Sequence, residues 1–243
     1  MNRLLLEPSD LLKANPQLAR IDGERLRHLR QVLRVETGDS VRAGMINGPC
    51  GQAIVTALSD SAAELELTLD QAPPAKLPLT VVIGLPRPKV ARRILHMLAE
   101  LGAERIVLLN SWRVEKSYWQ SPLLKSEHLQ RYLLDGLAQS GDTVLPELTM
   151  ERRFRPFVED RLPALIADRQ AWVAHPYTST ALPVGDPDKP VPSLLIIGPE
   201  GGFIPFELEL LQENGVQAGH AGDRILRTET AVPALISRLF PAS

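Results

Sequence analysis

The sequence predicts an α/β protein in two parts. A small β-rich domain comes first, and a larger domain built on a mainly parallel sheet covered by helices follows. Three observations carry this reading. Period-two apolar alternation marks residues 1–70, the Pro-rich stretch QAPPAKLP (71–78) breaks every periodicity, and apolar strand-like runs then alternate with helical segments. At 243 residues the chain accommodates one large domain or two small ones.

In the first part, GDSVRAG leads into GQAIVTALS and then AAELELTLD, where Leu65, Leu67 and Leu69 alternate as one buried face of a strand. One helix interrupts, IDGERLRHLRQVLRV. Its apolar stripe is read as Leu26, Leu29, Val32 and Leu33, with Arg25, Arg27, Arg30 and Arg34 projecting elsewhere. A small β-barrel with one helix is expected over residues 1–72. Beyond the linker, LTVVIG (79–84), RIVLLN (105–110), AWVAH (171–175) and LLIIG (194–198) read as strands. PKVARRILHMLAELG (88–102), residues 125–140 and FELELLQENG (206–215) read as helices, and VQAGHAG leads out of a further strand. A final helix follows Arg227, with Thr228 as its expected N-cap and Pro233 expected to bend it or delay its start.

Composition narrows the class. An apolar fraction of 44% and a charged fraction of 23% suit a soluble globular chain. No apolar run is long enough to span a bilayer, and MNRLLLEPSD lacks the core and cleavage site of a signal peptide. The lone Cys50 forms neither a disulfide nor a ligand cluster, and the histidines lack metal-ligand spacing, so a cytoplasmic protein without metal is expected. Net charge is −2, but Arg outnumbers Lys 21 to 6. That bias suits RNA contact and equally suits a GC-rich coding sequence. Residues 84–116 carry Arg87, Lys89, Arg92, Arg93, Arg105, Arg113 and Lys116 against Glu100, Glu104 and Glu115, a local excess of +4. This strip, and a second one of Arg27, Arg30 and Arg34, is either an RNA grip or a solvated helix face. Among the aromatics, Trp172 reads as core or interface, whereas Tyr118 and Trp119 read as loop residues suited to RNA.

Ligands of open parallel sheets sit at the carboxyl ends of the strands. Three such ends draw attention: His175-Pro176, the segment Gly198-Pro199-Glu200-Gly201-Gly202-Phe203 that follows Ile197, and Gly219 through Arg227. In the second, an apolar strand runs directly into glycines that open the backbone to a ligand, and Pro199 stiffens the turn. Such a loop suits a nucleoside or phosphate, and also a plain strand-to-helix turn. It lacks the GK[ST] of a P-loop, which weakens a nucleotide-dependent enzyme as an alternative. The third segment, AGDRILRTETA, places Asp223, Arg224, Arg227, Thr228, Glu229 and Thr230 around Ile225-Leu226, read as a buried pair.

IIGPEGGF and GDRILRTETA, about twenty residues apart near the C-terminus, together resemble the RsmE family, within the SPOUT superfamily of knotted methyltransferases. HLRQVLRVETGDSVRAG resembles its N-terminal PUA-like RNA-binding domain, and PLTVVIGLPRPKVARRILHMLAELGAERIVLLNS its first knot-domain strand, helix and strand. LAQSGDTVLPEL resembles the family's Gln-Ser-Gly stretch. The resemblance implies methylation of N3 of a uridine in 16S ribosomal RNA, with S-adenosyl-L-methionine as cofactor. It also implies a PUA-like domain over 1–72, a SPOUT domain over 77–243 with a C-terminal trefoil knot, and a homodimer acting on ribosomal RNA or the small ribosomal subunit. Carried over by residue, Gly198, Glu200, Gly201 and Gly202 match one cofactor loop, Gly222, Ile225, Leu226 and Arg227 match another, and His175 and Pro176 stand at the third. The chain departs from the family at Met97, Asp142 and Ala221; the first two remove positive charge from positions expected to face RNA. Arg227 and Arg224 are the candidates for stabilising charge on the uracil. Glu229 is read as a base, as an orienter of an arginine, or simply as a first-turn helix residue. A divergent SPOUT enzyme acting elsewhere on RNA, and a non-catalytic RNA-binding ribosome-assembly factor, are the competing readings.

Overall fold

The computed structural model describes residues 2–242. The chain forms two units. One holds the residues up to Ala75 together with Leu134–Leu145, and the other holds Lys76–Leu133 and the chain from Pro146 onward.

The first unit is a six-stranded sheet of β1 (Leu4–Leu6), β2 (Leu11–Leu12), β3 (Asn15–Ile21), β4 (Ser40–Met45), β5 (Cys50–Leu58) and β6 (Ala63–Gln71), ordered β1-β4-β5-β6-β3-β2. β1 lies parallel to β4, and the other neighbours are antiparallel. The period-two pattern resolves as expected: Ala53, Val55, Leu65 and Leu67 are buried and their neighbours Gln52, Ile54, Glu64 and Glu66 exposed. Leu6, Ile21, Leu26, Leu29 and Val55 fill the core. The helix differs from its sequence reading. After α1 (Gly23–Arg27) the backbone passes into a π-helical turn, His28–Leu33. Leu26 and Leu29 face inward, but Val32 and Leu33 are 65% and 45% exposed and Val35 is buried instead. The wider turn delays the 3.6-residue period, so positions beyond Leu29 rotate off the core. The segment Leu134–Leu145 joins this unit through hydrogen bonds: the Asn2 and Arg3 main-chain N–H groups donate to the Ala138 carbonyl at 2.7 and 3.0 Å, and Leu145 N donates to the Asn47 side-chain Oδ1 at 2.9 Å. Asp142 is buried, and its Oδ1 accepts from Thr143 N and Val144 N at 2.6 and 3.0 Å. It shapes a turn rather than facing RNA, which corrects the expectation for this position.

The second unit contains β7 (Leu77–Gly84), α2 (Pro88–Glu100), β8 (Ala103–Leu109), α3 (Ser126–Ser140, shared with the first unit) and β9 (Glu147–Glu151). It continues through α4 (Phe154–Pro156), a π-helical turn at Phe157–Arg161, α5 (Leu162–Ile166), β10 (Gln170–Ala174) and β11 (Ser193–Ile197). It ends with α6 (Pro205–Glu213), β12 (Gln217–Gly219) and α7 (Thr228–Leu239). The sheet order is β12-β10-β11-β7-β8-β9, and every neighbouring pair is parallel. β7 and β11 are buried on both faces, which is why they read as unbroken apolar runs. α2 buries Val90, Ala91, Ile94, Leu95 and Leu98. Because all six strands run the same way, Gly84, Leu109, Ala174, Ile197 and Gly219 end along one edge, and the loops that follow them meet there.

Candidate active site

Those loops enclose a cavity of about 600 Å³. Gly198 to Gly202 line one side, His175 and Pro176 a second, and the loop from Gly219 to Thr228 a third. The path of the Gly-rich loop is dictated locally. It passes so close to the end of β7 that a Cβ on Gly84 would collide with Pro199. Gly202 has φ +69°, a conformation that disfavours any other residue, and its N–H returns to the Pro199 carbonyl at 2.8 Å.

Carboxylates fasten this loop at both flanks. Glu200 Oε1 accepts from the main-chain N–H of Arg87 at 3.1 Å, and the Arg87 guanidinium lies 3.7 Å away. Arg113, from the loop after β8, donates to the Gly201 carbonyl. Glu207 is 3% exposed; its Oε2 accepts from Ile204 N at 3.0 Å and its Oε1 from Trp112 N at 2.7 Å. Sequence reasoning passed over Glu207, although Pro at the first position of α6 followed by Glu at the third is a helix-start signature.

All the candidate cofactor residues named from the sequence line this cavity: His175, Pro176, Ile197, Gly198, Pro199, Glu200, Gly201, Gly202, Gly222, Ile225, Leu226 and Arg227. So do Arg224 and Glu229. Two expectations for the last motif need correction. Ile225 and Leu226 are not a buried pair but 67% and 37% exposed, because residues 221–227 belong to no strand or helix and run along the cavity mouth. Thr228 is the first residue of α7 rather than its cap. Arg227 is the N-cap, its carbonyl accepting from Thr230 N and Ala231 N at 2.9 and 2.8 Å. Pro233 lies inside α7 without delaying its start. Glu229 is engaged by Arg93 at 2.8 Å, which suits an orienting carboxylate better than a free base. His175 N donates to the Gly219 carbonyl at 3.0 Å, and its ring meets Tyr177 edge-on at 5.6 Å. Burial lowers its pKa, favouring the neutral imidazole.

The basic strip divides. Arg87 and Arg113 line the cavity, whereas Lys89, Arg92 and Lys116 are exposed outside its lining. Arg92 lies over the Tyr132 ring at 5.5 Å, and Arg105 pairs with Glu147 at 2.6 Å. In the first unit Arg27 and Arg34 are exposed, and Arg30 pairs with Asp60 at 2.8 Å. Trp119 is half-buried: its indole N–H donates to Asn110 Oδ1 at 2.8 Å and Arg152 covers its ring at 4.8 Å. Trp112, at 79% exposure, is the more available ring. Among the described residues no group of three or more His, Cys, Asp or Glu is placed to hold a metal, and no helix is long and apolar enough to cross a membrane.

Residues 73–240 match the family model of the RNA methyltransferase domain. Ribosomal RNA small subunit methyltransferase E of Treponema pallidum is 33% identical over 237 residues, covering 96% of this chain and 88% of that protein. The chain belongs to the ribosomal RNA small subunit methyltransferase E family. The family member from Synechocystis is 27% identical, over 98% of this chain and 76% of its own. The Neisseria gonorrhoeae member, solved bound to S-adenosyl methionine, superposes with a TM-score of 0.74 at 25% identity, covering 98% of this chain and 95% of that one.

Proposed function

We propose that this protein is an S-adenosylmethionine-dependent methyltransferase that acts on N3 of a uridine in 16S ribosomal RNA. The observation that carries the reading is the coincidence of the two family motifs on one cavity at the carboxyl edge of the parallel sheet. The cavity suits the cofactor. Its volume falls within the range of about 300–1,000 Å³ common for small-molecule sites. Ile197, Leu226 and Leu235 supply apolar wall, and the Gly198–Gly202 backbone supplies close polar groups.

When bound, the cofactor supplies an electrophilic methyl group on a cationic sulfur. Transfer of that methyl to N3, with the neutral thioether as leaving group, would require the N3 proton to pass to a base or to water. The protein's part is to align the acceptor and to stabilise the negative charge that appears on the uracil as that proton departs. Arg227 and Arg224, exposed at the cavity mouth, are the groups for that charge and for RNA phosphate. Glu229, paired with Arg93, lies in the first turn of α7.

The wider reading follows from the same resemblance. Residues 1–72 are a PUA-like RNA-binding domain, in which Arg27, Arg30 and Arg34 contact phosphate. Residues 77–243 are a SPOUT domain with a C-terminal trefoil knot. The enzyme is a cytoplasmic homodimer that meets its substrate as ribosomal RNA or as the small ribosomal subunit, with Arg87, Lys89, Arg92, Arg113 and Lys116 assisting. Calorimetric titration with S-adenosylmethionine, and with S-adenosylhomocysteine in parallel, tests the cofactor assignment. Saturable binding at a fixed ratio per chain is expected, and a folded protein that binds neither ligand is a binding factor rather than a methyltransferase.

A further inference from the structure

Glu207 does more than begin a helix. At the third position of α6 one oxygen suffices to close the first turn, and Oε2 does this at Ile204 N. Its other oxygen crosses to a different strand's loop, taking Trp112 N at 2.7 Å across 95 positions of sequence. A carboxylate only 3% exposed is costly to bury unless its lone pairs are used, and here each oxygen receives a main-chain N–H. The next residue along, Arg113, donates to the Gly201 carbonyl, and its stem runs against Gly201, where an added Cβ would stand 3.1 Å from Arg113 Cδ. Glu207 itself does not line the cavity, whereas Arg113 and Gly201 do.

We propose that Glu207 is a positioning residue for the transfer reaction: its buried carboxylate clamps the Trp112–Arg113 segment to the start of α6, so that Arg113 braces the Gly-rich loop and forms one wall of the cavity. The inference rests on the methyltransferase reading. Its content is preorganisation. The loop is held from the β7 side by Glu200 and Arg87 and from the β8 side by Glu207 through Arg113, so a ligand need not order it on binding.

A double-mutant cycle on cofactor binding tests this. Glu207→Gln keeps the shape but leaves one oxygen for two donors. Glu207→Gln and Arg113→Ala are each expected to weaken S-adenosylhomocysteine binding about tenfold, and the double variant by about the same factor rather than about a hundredfold, because both remove one brace. A purely structural Glu207 gives multiplicative losses, and that result overturns the proposal, as does Glu207→Gln binding within about twofold of wild type. In wild type labelled with ¹⁵N-tryptophan, which needs no variant to fold, the Trp112 amide is expected to exchange slowly with solvent. Exchange at the rate of an open loop overturns the proposal as well. Wild-type protein that binds no S-adenosylhomocysteine removes the methyltransferase reading itself, and this inference falls with it.

Discussion

Arg227 caps α7 with its backbone and also lines the cavity, so one residue both starts the helix and borders the site. Arg227→Ala should leave the fold intact, since an N-cap without a side-chain hydrogen bond loses none on truncation. It should lower kcat by about 100- to 1,000-fold, the usual cost of one electrostatic donor in a transition state. Turnover near the wild-type rate would remove Arg227 from the mechanism. His175 makes a second prediction at this scale. Burial sets its folded-state pKa below the ordinary 6.5, so the neutral form is the one the fold favours. Its contribution is complete above pH 6.5 and is lost as pH falls through the lowered pKa, where the folded protein must take up a proton. S-adenosylmethionine, carrying the sulfonium charge, should therefore weaken more than S-adenosylhomocysteine as pH falls through that lowered pKa. His175→Asn should abolish the difference; a variant with an unchanged pH profile would remove His175 from this role.

At the scale of elements, helix α1 shows where sequence pattern stops being sufficient. Leu26 and Leu29 were legible as core, but a π-helical turn then moves Val32 and Leu33 into solvent, and no residue type announces such a turn. The same element carries a fixed ion pair. Arg25 donates from Nη1 and Nη2 to Asp10 at 2.5 and 2.7 Å, with Asp10 only 8% exposed. Asp10→Ala should destabilise the first unit by about 2 kcal/mol, less than for a fully buried pair because Arg25 keeps some contact with water. An unchanged denaturation midpoint would mean that the pair is incidental. In the second unit β9 escaped notice because its burial does not alternate, and the helical segment 154–166 because Pro156, Pro163 and a π turn break its period. The strands buried on both faces, by contrast, were readable as apolar runs with turn residues at their ends.

For the whole molecule, the second unit's parallel sheet was legible from the alternation of runs and helices, and the site from glycines placed at the end of β11. What was not legible depends on contacts between distant segments. The clamp from Glu207 to Trp112, the pairing of Glu229 with Arg93 and the inclusion of Leu134–Leu145 in the first unit all join residues far apart in sequence, and periodicity carries no information about them. The exposure of Ile225 and Leu226 belongs here too: two apolar residues side by side suggest a core, unless a cavity mouth needs them. The most direct test of the proposed function supplies S-adenosylmethionine labelled in its methyl group to small ribosomal subunits that lack the modification, then digests the 16S ribosomal RNA to nucleosides. Label recovered as N3-methyluridine is the predicted result. Label in any other nucleoside, or none incorporated by protein that binds the cofactor, would contradict it.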